Sequence, residues 1–207
     1  MIVTIDVEAL RRDMLSDSMG AFYGGGFGGA KFESFEIERA TPQELADMAV
    51  RETGFGNVED KIRKNRFASE RVAQTIRGRR CIGVLKEDPR EKLWEVGVPV
   101  GVIAAIVPST NPTSTVCYKA LIALKAGCSI VFSPHPKAIG CTLKAAQIVA
   151  KAAEEAGAPK GSIGCLSIPS MDGCRELMSG KETKLILATG GPAMVRAAYS
   201  SGKPAIG

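Results

Sequence analysis

Residues 100–133 read VGVIAAIVPSTNPTSTVCYKALIALKAGCSIVFS and contain the pattern that decides the fold. The run VGVIAAIV is continuously apolar, as expected for a strand that is buried on both faces. A helix is predicted from about Pro112, with Gly127 at its carboxyl end and an apolar face formed by Val116, Cys117, Ala120, Leu121 and Leu124. The segment CSIVF then predicts a second strand.

The same alternation continues downstream. The segment TLKAAQIVAKAAEEA predicts a helix that ends at Gly157, and IGCLSI, DGCRELMS, KLILAT and PAMVRAAY predict strand, helix, strand and helix in turn. Repeated strand–helix units form a parallel sheet with right-handed crossovers. We therefore predict an α/β fold over residues 41–207, a Rossmann-like parallel sheet with flanking helices. Ligands of such sheets bind at the carboxyl ends of the strands.

Two helices and an extended segment are predicted upstream of this sheet. The first helix begins with a capping box, in which Thr41 is the N-cap, and ends near Gly54. The second runs from about Val58 to about Arg77, and its predicted core contacts are Ile62, Phe67, Val72 and Ile76. The following CIGVLKEDPREKLWEVGVPVG favours extended chain with a turn at Asp88-Pro89.

Residues 1–40 form an atypical N-terminal segment, partly helical and rich in glycine. Its stretch GAFYGGGFGGA does not follow a clear strand, so a phosphate-binding loop is less well supported than a flexible hinge. We expect the nucleotide-binding domain to begin after it, at residue 41.

Composition excludes several classes of protein. Apolar residues make up 45% and charged residues 24% of the 207 residues, as in ordinary globular proteins. The sequence has no stretch of about 18 uncharged apolar residues and no secretory leader, so we expect a cytoplasmic protein without a membrane partner. Six cysteines without a C-x-x-C pair and the single His135 argue against a structural zinc site.

The net charge of +5 lies largely in residues 61–80, KIRKNRFASERVAQTIRGRR. A nucleic-acid interface is one interpretation, but no stacking aromatics or binding motif accompany the charge. A solvated helix face is favoured, and such a face can also attract an anionic cofactor. We expect no nucleic-acid partner.

Polar or flexible loops follow three of the predicted strands. After VGVIAAIV come two prolines and Asn111, which either caps the next helix or offers its amide to an oxyanion. After CSIVF, the segment FSPHPKA directs His135 and Lys137 to the same edge, although a lone histidine is commonly structural.

The third loop is Thr189-Gly190-Gly191-Pro192, at the carboxyl end of KLILAT. Gly190 and Gly191 allow a phosphate or another backbone to come close, and the first N–H groups of the next helix favour an anion. A plain tight turn explains the same glycines equally well.

Five segments together resemble the CoA-acylating aldehyde dehydrogenases. They are ETGFGNVEDKIRKN, VPSTNPTSTVCYKALIALKAG, IVFSPHPKA, EEAGAPKGSIG and LILATGGPAMVRAAYSSGKPAIG. This family includes the aldehyde dehydrogenase half of bifunctional aldehyde–alcohol dehydrogenases and the enzymes of ethanolamine and propanediol microcompartments. The resemblance covers about residues 44–207.

The resemblance implies a reaction and a set of partners. The family oxidises a small aldehyde with NAD through a cysteine thiolate and passes the acyl group to coenzyme A (CoA), its co-substrate. It further implies a homo-oligomer in the cytoplasm or in a bacterial microcompartment, with a strand hairpin that serves oligomer contacts. The implied cofactor-binding positions are Ile106, Val107, Pro108, Ser109, Thr110, Asn111, His135, Gly190 and Gly191.

The nucleophilic cysteine of the family follows the SSGKPAIG segment, and none of the six cysteines here occupies its position. We therefore expect no catalytic nucleophile in these 207 residues and no activity of the chain alone. The alternative is a non-catalytic nucleotide-binding or interaction module. The identity of the aldehyde and the choice between NAD and NADP stay open.

Overall fold

A five-stranded parallel sheet lies at the centre of the computed structural model, which describes residues 42–207. The predictions for residues 1–40, and the N-cap role of Thr41, lie outside this range. In chain order the elements are α1 (Pro42–Thr53), α2 (Val58–Arg66), a π-helical turn (Phe67–Arg71), α3 (Val72–Ile76), β1 (Gly83–Asp88), β2 (Leu93–Gly97), β3 (Val102–Ile106), α4 (Pro112–Lys125), β4 (Ser129–Ser133), α5 (Ile139–Glu155), β5 (Ile163–Cys165), α6 (Met171–Ser179), β6 (Thr183–Ala188), α7 (Pro192–Tyr199) and β7 (Ala205–Ile206).

The strand order of the sheet is β5-β4-β3-β6-β7. The chain therefore leaves β3 in one direction, through β4 and β5, and later returns to the other side of β3 with β6 and β7. Ala104 of β3 is in register with Val131 on one side and Ile186 on the other. This reversal is a topological switch point, and it leaves a crevice at the carboxyl ends of the central strands.

The core lies on both faces of β3, as its apolar run predicts. Ile103 and Ala105 belong to the larger hydrophobic cluster, which includes residues of α4 and α5. Ala104 and Ile106 belong to the smaller cluster, which includes residues of α6 and α7. Successive side chains of a strand point to opposite faces, so one short apolar run supplies both cores.

The second predicted helix is present, but its buried face differs from the prediction. Phe67 is 65% exposed, whereas Lys61 and Asn65 are buried. The π-helical turn at Phe67–Arg71 changes the helical phase there, and the preceding turns face a polar loop and the start of α4. The predicted contacts Ile62, Val72 and Ile76 are only half-buried. The solvated-face interpretation of residues 61–80 is therefore wrong for Lys61.

Helix α5 begins three residues earlier than predicted. The carboxylate of Glu52, in α1, accepts hydrogen bonds from the backbone N–H groups of Gly140 and Cys141, at 2.7 and 2.8 Å. A carboxylate at this position satisfies free donors and complements the helix dipole. The cap is a long-range contact, so the local sequence pattern around residue 139 does not show it.

Strands β1 and β2 form an antiparallel hairpin, with the predicted turn beginning after Asp88. Asp88 Oδ1 accepts from the backbone N–H of Arg90 at 3.0 Å and closes this turn. Leu93, Trp94 and Val96 of the hairpin are exposed. Within residues 42–207, no helix is long and apolar enough to span a bilayer.

Candidate nucleotide-binding site

A cavity of about 410 Å³ opens at the carboxyl ends of the parallel strands. Four loops supply its walls, those that follow β3, β4, β5 and β6. Six of the predicted residues line it, namely Ile106, Val107, Pro108, His135, Gly190 and Gly191. Its walls are mostly apolar, and Ser133, Ser170 and Thr189 add hydroxyl groups. Apolar walls with a few polar groups are typical of small-molecule sites.

The backbone at Gly190 and Gly191 does not require glycine, because neither residue has a positive φ. Gly191 has φ −68° and ψ 165°, an extended conformation that any residue can adopt. A β-carbon built on Gly191 would meet no atom within 4 Å. Room for a ligand therefore explains Gly191 better than the requirements of a tight turn.

Helix α7 begins at the cavity directly after these glycines. Pro192 occupies its first turn, and the backbone carbonyl of Gly191 accepts from the N–H of Met194 at 3.0 Å. The N-terminal end of a helix carries a partial positive charge. This end of the cavity therefore suits an anionic group, as the sequence predicts.

His135 lines the cavity, but its ring also takes part in a local turn. Its Nδ1 atom accepts a hydrogen bond from the backbone N–H of Lys137 at 3.1 Å. A neutral imidazole that accepts at Nδ1 carries its proton on Nε2, so Nε2 is a donor. Lys137 is exposed and does not line the cavity, contrary to the prediction that it joins His135 there.

Ser109, Thr110 and Asn111 do not line this cavity. Asn111 instead lines an open groove of about 520 Å³ on the α2 side of the loop, together with Lys64 and Tyr118. The backbone carbonyl of Thr110 accepts a hydrogen bond from Lys61 Nζ. The structure therefore divides the predicted loop between two surfaces.

The side chain of Asn111 does not cap helix α4. No helix N–H donates to it, although Asn111 occupies the N-cap position. Its Oδ1 atom accepts instead from Lys64 Nζ at 3.0 Å. The structure thus excludes a helix cap by the Asn111 side chain. The sequence analysis did not predict a role for Lys64, because it interpreted the basic segment as a solvated helix face.

Lys119 was also missed, although it contacts Ile106, which lines the cavity. Its Nζ atom donates to the backbone carbonyls of Ile106 and Leu187, at 2.8 and 2.7 Å. The side chain is buried, and this burial lowers the pKa of Lys119 to about 7. The sequence signal that could have indicated its burial is the position of this lysine on the apolar face of a predicted helix, next to Ala120.

Four of the six cysteines are poor candidates for a nucleophile, namely Cys117, Cys141, Cys165 and Cys174. Burial raises the pKa of Cys117 to about 11 and the pKa of Cys165 to about 12. Burial, with a hydrogen bond to Glu52, raises the pKa of Cys141 to about 12. Cys174 lines the cavity but is buried on α6. A reactive cysteine needs an exposed, electropositive setting. Residues 42–207 contain no cluster of metal-ligating side chains.

Comparisons with known proteins agree with this architecture. Over 163 residues the chain is 53% identical to the bifunctional aldehyde-alcohol dehydrogenase AdhE of Escherichia coli, covering 79% of this chain and 18% of AdhE. The crystal structure of an acetylating aldehyde dehydrogenase from Geobacillus thermoglucosidasius matches with 48% identity and a TM-score of 0.80. That match covers 98% of this chain and 40% of the other.

A more distant structure is a propionaldehyde dehydrogenase from Rhodopseudomonas palustris, with bound CoA and an acylated cysteine. It matches with 31% identity and a TM-score of 0.69, over 97% of this chain and 40% of that one. The chain thus spans about a fifth of the length of the curated relative named above. Residues 36–205 match the aldehyde dehydrogenase family. The chain belongs to the aldehyde dehydrogenase family.

Proposed function

We propose that this chain is the nucleotide-binding part of a CoA-acylating aldehyde dehydrogenase, which converts an aldehyde, CoA and NAD to acyl-CoA and NADH. The observation that carries the proposal is the cavity at the switch point of the sheet, lined by six of the residues that the family resemblance implies. The relatives named as acetylating or CoA-binding dehydrogenases support the acylating type.

The residues of the cavity fit a dinucleotide. Its volume of about 410 Å³ lies within the range of small-molecule sites, roughly 300–1,000 Å³. The open space above Gly191 leaves room for a phosphate beside the first turn of α7, and the apolar walls suit an adenine ring. His135 Nε2 can donate to a ribose or phosphate oxygen. A nucleotide held by these residues would supply the hydride acceptor that oxidation of the aldehyde needs.

Asn111 is proposed to act at the reacting carbon rather than at the nucleotide. Its Nδ2 group would donate to the oxygen that becomes negatively charged when a thiolate attacks the aldehyde. Two observations support this role. The side chain is free of the helix cap, and it lies in an open groove that a substrate can enter.

The thiolate of the proposed reaction is none of the six cysteines of this chain. The raised pKa values of Cys117, Cys141 and Cys165 keep these thiols protonated near neutral pH. We therefore expect the 207 residues to bind the nucleotide without oxidising an aldehyde.

Assembly and location are further parts of the proposal. The exposed apolar side chains of the β1–β2 hairpin, among them Leu93 and Trp94, support a contact between copies in a homo-oligomer. We expect the protein in the cytoplasm or in a bacterial microcompartment, acting on a small aldehyde, with no nucleic-acid or membrane partner.

The test has two parts. The first is NADH formation by the protein expressed from its complete gene, measured with acetaldehyde or propionaldehyde, CoA and NAD. Turnover that depends on CoA is expected, and its absence contradicts the enzymatic role. The second is calorimetric binding of NAD and of NADP to the 207-residue chain. Binding without turnover is expected, whereas a folded chain that binds neither nucleotide contradicts the proposed site.

A further inference from the structure

We propose that Lys64 is a positioning residue, which holds the side-chain amide of Asn111 so that its Nδ2 group is free to donate to the reacting oxygen. The inference rests on the proposed function, because that function gives Asn111 its role. Lys64 itself touches no reacting atom in this proposal and acts only through Asn111.

The first observation is a comparison between N-cap residues of the same chain. Asn57, at the start of α2, has an extended backbone with ψ 162°, and its Oδ1 accepts from the N–H of Asp60 at 2.9 Å. Ser170 has ψ 163° and accepts from the N–H of Gly173 at 2.9 Å. Asn111 has ψ 60° and makes no such bond. The backbone of Asn111 thus keeps its amide away from the helix N–H groups, and the orientation of this amide requires an explanation other than helix capping.

The second observation supplies that explanation. The Oδ1 atom of Asn111 lies 3.0 Å from Lys64 Nζ. A lysine ammonium has three donors and no acceptor, so it can hydrogen-bond only to the oxygen of an amide. The contact therefore requires that Oδ1, and not Nδ2, of Asn111 faces Lys64. Nδ2 itself makes a long contact, 3.4 Å to Thr110 Oγ1, and within residues 42–207 this is its one side-chain partner.

The backbone carbonyl of Asn111 is hydrogen-bonded to helix α4, which begins directly after it. Its carbonyl oxygen accepts from the N–H and the hydroxyl of Thr115, at 3.1 and 2.6 Å. The start of α4 therefore keeps its regular backbone bonding while the Asn111 side chain turns away from it. The amide can then be oriented by Lys64 without loss of the helix start.

Helix α2 is fixed against the same loop by two neighbours of Lys64. Lys61 Nζ donates to the backbone carbonyl of Thr110, and Asn65 Oδ1 accepts from Thr113 Oγ1 at 2.8 Å. Lys61, Lys64 and Asn65 are spaced so that they share one side of the helix. The base of the Lys64 side chain is therefore held in place, and its ammonium reaches Asn111 from a fixed helix.

The charge of Lys64 also affects the amide electronically. A cation at the carbonyl end polarises the amide and makes the N–H groups at the other end stronger donors. A neutral side chain of similar length would lose both the orientation and the polarisation. It would not remove Asn111, so the expected loss of rate is smaller than for loss of the amide itself.

The kinetic test compares Lys64→Met, Lys64→Arg and Arg63→Met in the protein expressed from its complete gene. Arg63 is the matched control, because it is an adjacent cation that also lines the groove, but its guanidinium pairs with Glu59 and Asp60, at 2.6 and 3.8 Å, rather than with Asn111. Lys64→Met is expected to lower kcat about tenfold, against roughly 10²–10³ for loss of an oxyanion donor, with the KM for NAD unchanged. Lys64→Arg restores most of the rate, and Arg63→Met stays near wild type.

A double variant shows whether Lys64 affects the rate through Asn111 or independently of it. If Lys64 acts through Asn111, Asn111→Ala combined with Lys64→Met is no slower than Asn111→Ala alone. A further tenfold loss in the double variant would overturn the proposal, as would a wild-type rate for Lys64→Met.

A spectroscopic test on the 207-residue chain does not depend on turnover. The ¹H–¹⁵N correlations of the Asn111 side-chain amide are expected to shift in Lys64→Met and to stay unchanged in Arg63→Met. An Asn111 amide that Lys64→Met leaves unshifted overturns the proposal. A wild-type protein without aldehyde turnover instead overturns the proposed function, and the amide correlations then decide whether Lys64 orients Asn111.

Discussion

The ammonium of Lys119 lies 2.8 Å from the backbone carbonyl oxygen of Ile106, and it thereby joins helix α4 to the carboxyl end of the central strand. The same nitrogen reaches the carbonyl of Leu187 in β6, at 2.7 Å. One buried lysine thus connects the two strands on either side of the switch point. Both carbonyls lie near the carboxyl ends of strands from which loops of the cavity begin.

Lys119→Met is expected to change how stability depends on pH. The folded chain releases the Lys119 proton above about pH 7, whereas the unfolded chain keeps it until the ordinary value of 10.5. Between these values the unfolded chain binds more protons, so the free energy of unfolding rises with pH, by at most about 1.4 kcal/mol per pH unit. The variant loses this rise. Urea unfolding at pH 7 and pH 9 measures it, with exposed Lys144→Met as the control. If the free energy of unfolding rose equally from pH 7 to pH 9 in wild type and in Lys119→Met, the lowered pKa of Lys119 would be refuted.

Glu52→Gln is expected to destabilise the chain by about 1 kcal/mol at pH 7, because the ionised carboxylate caps helix α5. Partial burial opposes ionisation, but the hydrogen bonds from the backbone of Cys141 and Gly140 outweigh it and lower the pKa of Glu52. The stabilisation is therefore complete above the ordinary value of 4.5 and is lost as the pH falls through the lowered pKa.

Thermal unfolding at pH 7 and at pH 3 tests this dependence. The difference in Tm between wild type and Glu52→Gln should be smaller at pH 3 than at pH 7. Glu91→Gln, in the exposed hairpin turn, should have the Tm of wild type at both pH values. If Glu52→Gln lowered the Tm by the same amount at both pH values, the result would argue against an ionised carboxylate as the cap of α5.

Much of the sheet could be predicted from the sequence, because its elements carry local signals. The apolar run at residues 100–107 predicts a strand that contains β3 (Val102–Ile106), and the helical spacing after Pro112 predicts α4. The loop residues Pro108, His135 and Gly191 line one cavity, as expected, because parallel strands bring their carboxyl ends together.

The remaining features depend on contacts between distant residues. The start of α5 is set by Glu52, 88 residues from Gly140 along the chain. Lys64 and Lys119 were missed because their partners are an amide 47 residues away and backbone carbonyls 13 and 68 residues away. Phe67 was misplaced because a π-helical turn alters the helical period, and no propensity marks that turn.

Gly191→Leu is expected to abolish nucleotide binding without unfolding the chain. The added side chain would fill the open space beside the first turn of α7, and the φ of −68° at this residue permits it. Calorimetry with NAD measures the loss. Gly78→Leu is the matched control, since a β-carbon there also meets no atom within 4 Å and the residue is outside the cavity. Unchanged NAD affinity in Gly191→Leu would exclude this loop from the site.

The thiols of Cys117, Cys141 and Cys165 are expected to react slowly with iodoacetamide at pH 7. Their raised pKa values leave little thiolate, and the side chains of two of the three, Cys117 and Cys141, are buried. Mass spectrometry of the folded chain, compared with the chain unfolded in urea, gives the rate at each site. Labelling of any of the three at the rate of the unfolded chain would make that cysteine a candidate nucleophile.

The most direct test of the proposed site is an NMR titration of the ¹⁵N-labelled 207-residue chain with NAD. Backbone shifts are expected in the four loops that line the cavity, at residues 106–108, 133–136, 169–174 and 189–194, with the basic helix at residues 58–76 little changed. A folded chain that shows no shifts in these loops, or shifts only in the basic helix, would contradict the nucleotide site at the switch point of the sheet.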